Sequence, residues 1–179
     1  MSQNSSKRIL RPPRGFKITK EVLWARWLDE PPGFLAKSKK KAKGARRQGQ
    51  IYEALVQKHL AQTYGSAYIP GPWFKFFDKG TEQLKWCQPD GLLIDLRRGT
   101  ITVVEVKLQH TPRAWWQLEK QYLPLMRSIF GKDFSYSLVE IVKWYDCAVA
   151  FPCKVTLRPE IHNARPTHFQ VTIWRPNKN

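Results

Sequence analysis

Residues 90–107 constrain the fold of this chain more than any other stretch. Gly91-Leu92-Leu93-Ile94-Asp95-Leu96 is an apolar, β-prone run, Arg97-Arg98-Gly99 reads as a turn, and Thr100-Ile101-Thr102-Val103-Val104 is a second β-branched run. Two such runs around a Gly-containing turn predict a β-hairpin. Closing it brings its open ends together, so Asp90 at the start of one strand meets Glu105 and Lys107 at the end of the next. Glu105 and Lys107 are two apart and share a strand face. Two carboxylates and an ammonium converging at one sheet edge suit a divalent metal ion and an activated water. A surface turn with a cross-strand ion pair is the simpler alternative. It leaves a glutamate inside the apolar run Val103-Val104-Glu105-Val106 without a task.

Charge points to the partner. Among 179 residues, 31 Lys and Arg face 14 Asp and Glu, a formal net charge of +17. An excess of that size favours a polyanion, nucleic acid before an anionic membrane surface. No apolar run approaches the roughly 20 residues of a membrane span, and Met1 to Ser6 are not signal-like. A cytoplasmic, DNA-associated protein is therefore expected. Apolar content of 42% is enough for one folded domain. Cys87, Cys147 and Cys153 form neither a CxxC pair nor an even set, which argues against a disulfide framework. A zinc site from Cys147, Cys153, His162 and His168 has gaps that fit tetrahedral zinc motifs poorly.

The first fifty residues hold fourteen basic residues and three acidic ones. Residues 1–47 read as a basic N-terminal arm containing a short helix over Thr19–Leu28, with Thr19 as N-cap. Lys37, Lys39, Lys40, Lys41, Lys43, Arg46 and Arg47 form a dense run suited to phosphates, although a solvated linker has the same composition. Residues 48–179 read as the core. A helix is expected over Gln48–Leu60, with Ile51, Leu55, Val56 and His59 along its buried stripe and Glu53 near the stripe's edge. Trp73–Phe77 reads as the first strand. Thr111 as N-cap and Pro112 at N1 open a second helix that stops before Gly131, with a kink or break at Pro124. Ser137–Val142 fits a strand or a helical stripe; a strand beside the hairpin is preferred. Ala148–Phe151, Val155–Leu157 and Phe169–Trp174 are further β-prone pieces. Trp115 and Trp116, about 100° apart on a helix, cannot both face one core, so one is a candidate for base stacking.

Pro89-Asp90 followed by Glu105-Val106-Lys107, with a helix before and after, resembles the PD-(D/E)xK nuclease superfamily over about residues 48–145. The resemblance implies an α/β, restriction-endonuclease-like core: a central mixed β-sheet flanked by helices, in the order αβββαβ. It implies Mg²⁺, with Mn²⁺ able to substitute, held by Asp90, Glu105, the Val106 carbonyl and Glu53 of the first helix. Lys107 would orient the nucleophile or stabilise charge on the phosphate. In the RecB-like branch a glutamine on the second helix reaches the centre and a tyrosine follows four residues later. Here Tyr122 lies five residues after Gln117 and one after Gln121, and Gln121 is the preferred member. The implied activity is Mg²⁺-dependent hydrolysis of DNA phosphodiesters, with RNA also a possible substrate and a homodimer expected if both strands are cut. A nucleic-acid-binding protein with an inactive nuclease-like fold, or a basic RNA-associated protein, would share much of this sequence.

Overall fold

A computed structural model describes residues 22–33, 42–145, 154–156 and 169–176. Strand β1 (Val22–Leu28) is followed by helix α1 (Gly44–Tyr64), β2 (Tyr68–Pro70), β3 (Trp73–Asp78), β4 (Gln83–Cys87), β5 (Gly91–Asp95) and β6 (Thr100–Gln109). Then come α2 (Pro112–Gln117), a π-turn over Leu118–Tyr122, α3 (Leu123–Phe130), β7 (Ser135–Trp144), β8 (Lys154–Thr156) and β9 (Phe169–Ile173).

The expected hairpin forms. β5 and β6 pair antiparallel, with Gly91 opposite Val104 and Asp95 opposite Thr100. They lie inside a mixed sheet of order β2-β5-β6-β7-β9-β8, in which β6, β7, β9 and β8 pair in parallel. Parallel neighbours β6 and β7 need a crossover, and α2 with α3 supplies it. Ser137–Val142 is therefore strand, within β7.

Alternation along β5, β6 and β7 splits the interior in two. Val104, Val106, Val139 and Ile141 face α1, which contributes Tyr52, Val56 and Leu60. Ile101, Val103, Leu138 and Val142 face the other way, against Leu118, Leu125 and Met126 of the crossover and Phe74 and Phe76 of β3. Both faces of the sheet are covered, which is why its parallel strands are nearly continuous apolar runs.

Several expectations are corrected. Val22–Leu28 is a strand, not part of a short helix: it pairs antiparallel with β3 in a separate three-stranded sheet, β1-β3-β4. Packing outweighs helix propensity there, because Ala25 and Trp27 reach the core and the Trp27 ring meets Phe74 edge-on, 5.4 Å between centroids. Thr19 lies outside the described residues. The buried stripe of α1 is Tyr52, Val56 and Leu60, whereas Ile51 and Leu55 are exposed. The helix sits one residue further round than its apolar content suggests: Tyr52, Val56 and Leu60 pack on the sheet, and the Tyr52 hydroxyl donates to the Trp174 carbonyl at 2.8 Å. The order αβββαβ, followed by the expected C-terminal β extension of the 48–179 core, lacks β1, which was read as helix, and the short strands β2 and β4. The second helix is not a simple kinked rod. Pro124 follows a widened π-turn, where the N–H it lacks is missed least, and Gly131 closes α3 with φ 81°. The clusters Lys37–Lys41 and Cys147, Cys153, His162 and His168, and the piece Ala148–Phe151, lie outside the described residues.

Candidate active site

The hairpin's open end brings Asp90, Glu105 and Lys107 together as the alternation requires. The Val106 amide donates to Asp90 Oδ2 at 2.6 Å, and the Lys107 ammonium donates to Glu105 Oε1. Glu105 is buried, while its second oxygen, Oε2, has no hydrogen-bond partner. A buried carboxylate oxygen without a partner is costly.

The backbone of Asp90 is fixed by three donors converging on its carbonyl: Gly71 N–H at 3.1 Å, Gln57 Nε2 at 3.3 Å and the Tyr68 hydroxyl at 3.4 Å. Gly91 permits this arrangement. A Cβ there would stand 2.6 Å from Cε2 of the Tyr68 ring. Gln57 also donates to Glu53 Oε1 at 3.2 Å, so one side chain ties the first helix's acid to the start of the hairpin.

Electrostatics bind the group more widely than hydrogen bonds do. Burial first and the Asp90 charge second push Glu53 up to about 7, against the pull of Lys107. Burial, then Asp90, pushes Glu105 up to about 8 against the pull of Lys107. Asp90 is raised by burial, opposed by Lys107 and by the Val106 amide. Burial alone would lower Lys107; Glu105 and Asp90 together override it and hold its proton more tightly than usual. Behind Lys107 lies a second acid, Glu140. It is fully buried, paired with His110 Nδ1 at 2.5 Å and accepting the Thr111 amide at 3.3 Å. Glu140 and Glu105 are register partners on adjacent strands.

The crossover helix supplies two glutamines in different roles. Gln121 is buried near the Cys87 thiol, whereas Gln117 is half-buried near the Tyr122 hydroxyl. The π-turn explains the second proximity: its i to i+5 geometry stacks residues five apart as an α-helix stacks residues four apart. Tyr122 also donates to the Gln88 carbonyl at 3.1 Å, and its hydroxyl proton is held more tightly by burial and by the Glu105 charge.

Among the described residues, no three His, Cys, Asp or Glu side chains cluster as a metal site by themselves. A hard cation such as Mg²⁺ needs fewer, since it is commonly bound by one or two carboxylates with water and phosphate oxygens completing the shell. Asp90 and Glu105 match that donor set, and the partnerless Glu105 Oε2 is an oxygen a cation would satisfy. Glu53 stands near enough to interact with both charges.

Sequence reasoning missed Gln57, Tyr68 and the His110–Glu140 pair. Their contacts span 33, 22 and 30 residues of chain, so no local pattern points to them; only Gly91 directly after Asp90 hinted at a close approach. Lys43, Arg46 and Arg47 are exposed at the start of α1. Trp116 is exposed and Trp115 half-buried, as their spacing required. Comparison with protein-family models, curated proteins and solved structures finds no match for this chain.

Proposed function

We propose that this protein is a divalent-metal-dependent endonuclease that hydrolyses DNA phosphodiester bonds, built on a restriction-endonuclease-like core. The observation that carries the reading is the meeting of Asp90, Glu105 and Lys107, with a buried Glu105 oxygen left without a partner. Asp90 and Glu105, with the Val106 carbonyl and Glu53 as further candidates, would hold Mg²⁺ or Mn²⁺. Such an ion supplies an activated water at neutral pH and neutralises charge on the phosphate.

The chain's own groups do the rest. Lys107, kept protonated by its carboxylate neighbours, offers positive charge to the oxygens of the phosphate under attack. Glu53, raised to about 7 by burial and by the Asp90 charge before a cation is bound, would ionise as the cation binds and serve as the further oxygen ligand. Gln57 and Tyr68 hold the Asp90 backbone so that its carboxylate does not drift. Lys43, Arg46 and Arg47, with the lysines of 37–41, supply phosphate contacts. Cutting both strands from one such centre calls for two copies of the chain. No helix among the described residues is long and apolar enough to cross a membrane.

The test is cleavage of plasmid, linear and branched DNA with Mg²⁺ or Mn²⁺. Wild-type protein is expected to cut at least one of them and Asp90→Asn none. Binding without cutting under every metal would instead favour a nucleic-acid-binding protein on an inactive nuclease-like fold.

A further inference from the structure

The three-stranded sheet β1-β3-β4 has two faces of opposite character. Phe74, Phe76, Asp78, Lys85 and Cys87 point inward and are buried; there the charged pair Lys85–Asp78 is joined at 2.5 Å. The outward face of an antiparallel sheet is ordinarily polar. Here it is aromatic and basic. The register places Trp24 opposite Phe77 and Phe77 opposite Leu84 in one row, with Arg26 opposite Lys75 and Lys75 opposite Trp86 in the next. Trp24 is 41% exposed and Leu84 36% exposed.

Two features of this face point to an anionic, planar ligand. Arg26 and Lys75 are cross-strand partners, and like charges directly opposite one another destabilise a sheet. None of the outward positions carries Asp or Glu to relieve them. The aromatic rings alternate with these cations, and Lys75 Nζ already lies 5.8 Å from the centre of the Trp86 ring. Rings offer stacking faces to bases, and the cations between them answer the phosphates. A duplex hides the faces of its bases, so a flat aromatic surface selects unpaired ones.

We infer that the outer face of β1-β3-β4 is a binding platform for single-stranded nucleic acid, with Trp24, Phe77 and Trp86 stacking on bases and Arg26 and Lys75 contacting phosphates. Strand β4 ends at Cys87, three residues before Asp90. The inference rests on the nucleic-acid reading given above but not on cleavage. With it, the substrate becomes DNA that exposes unpaired bases, such as a flap, a fork or a melted end.

The test uses the full chain in EDTA, so that binding is read without cutting. The probes are a labelled 15-residue oligothymidylate, an oligouridylate of the same length and a blunt duplex. Wild type is expected to bind a single-stranded probe with quenching of tryptophan fluorescence. Trp24→Ala should weaken that binding at least about tenfold and change duplex binding less than about twofold. Arg26→Gln and Lys75→Gln, which keep part of each aliphatic stem and remove the charge, should each lower the slope of log affinity against log salt by about 0.7. Loss with either single-stranded probe supports the platform, and the stronger binder identifies the sugar. Single-strand affinity unchanged in all three variants overturns it. So does a wild-type dimer that Trp24→Ala converts to monomer, since the face would then be covered by a second copy. Absence of cleavage under every metal would remove the nuclease reading and leave these binding outcomes intact.

Discussion

The Val106 amide reaches across the mouth of the hairpin to Asp90 Oδ2 at 2.6 Å, joining residues 16 apart in the chain. The same carboxylate is thus a structural acceptor and a candidate metal ligand. These roles separate by substitution. Asp90→Asn keeps an acceptor oxygen for Val106 and removes the charge: cleavage should fall at least about 10²-fold while the melting temperature stays within about 2 °C. Asp90→Ala leaves the Val106 amide without that partner and should in addition cost about 1–3 kcal/mol. Melting curves beside cleavage assays check both.

Stability without metal should fall as pH rises. Burial and the Asp90 charge lift Glu105 from an ordinary 4.5 to about 8. An acid whose pKa is higher folded than unfolded stabilises the fold through its protonated form. That contribution is complete below about 4.5 and is lost as pH climbs through about 8. Glu53, raised to about 7, acts in the same direction. The melting temperature in EDTA should therefore drop by several degrees between pH 5 and 8.5. Glu105→Gln should flatten the dependence. Mg²⁺ should restore stability at the alkaline end, since ionised carboxylates then meet a cation. A flat profile for wild type would contradict the burial of Glu105.

Lys107 is expected to serve the reaction rather than to hold a metal. Lys107→Ala should reduce cleavage by about 10²–10³-fold. Removing a cation beside Asp90 and Glu105 should leave Mn²⁺ affinity unchanged or higher. Calorimetric titration with Mn²⁺ distinguishes this from general collapse of the site, in which affinity would be lost with activity.

Glu140 and His110 are both fully buried and form a 2.5 Å pair behind Lys107. Removing one partner of a buried hydrogen bond costs about 1–3 kcal/mol, and truncating the ring adds a cavity. His110→Ala should therefore lower the melting temperature by roughly 10 °C. Glu140→Gln retains an acceptor for the Thr111 amide and should cost less, about 1–2 kcal/mol. Denaturant unfolding of the two variants checks the order.

Much of the core was legible because its signals are local. A strand alternates with period two, so the meeting of Asp90, Glu105 and Lys107 followed from the hairpin once its turn was recognised. Thr111-Pro112 and Gly131 marked the ends of the crossover for equally local reasons. Val22–Leu28 failed because its neighbours along the chain allow a helix and only β3, some fifty residues on, makes it a strand. The buried stripe of α1 failed by one residue, because the choice between Ile51 and Tyr52 depends on the sheet beneath the helix and on Trp174 at the far end of the chain. The π-turn over Leu118–Tyr122 was not legible either, since it interrupts the helix without a local breaker ahead of Pro124.

By itself, then, the sequence determined a hairpin that gathers two carboxylates and a lysine, and a net charge of +17. The tertiary structure decided what surrounds them. It set the burial that raises Glu53 and Glu105, the Gln57 and Tyr68 bonds that fix Asp90, and the outward rows of Trp24 and Lys75. Backbone geometry is dictated by near neighbours. Desolvation and hydrogen bonding depend on groups tens of residues away, and these become neighbours only when the chain has folded.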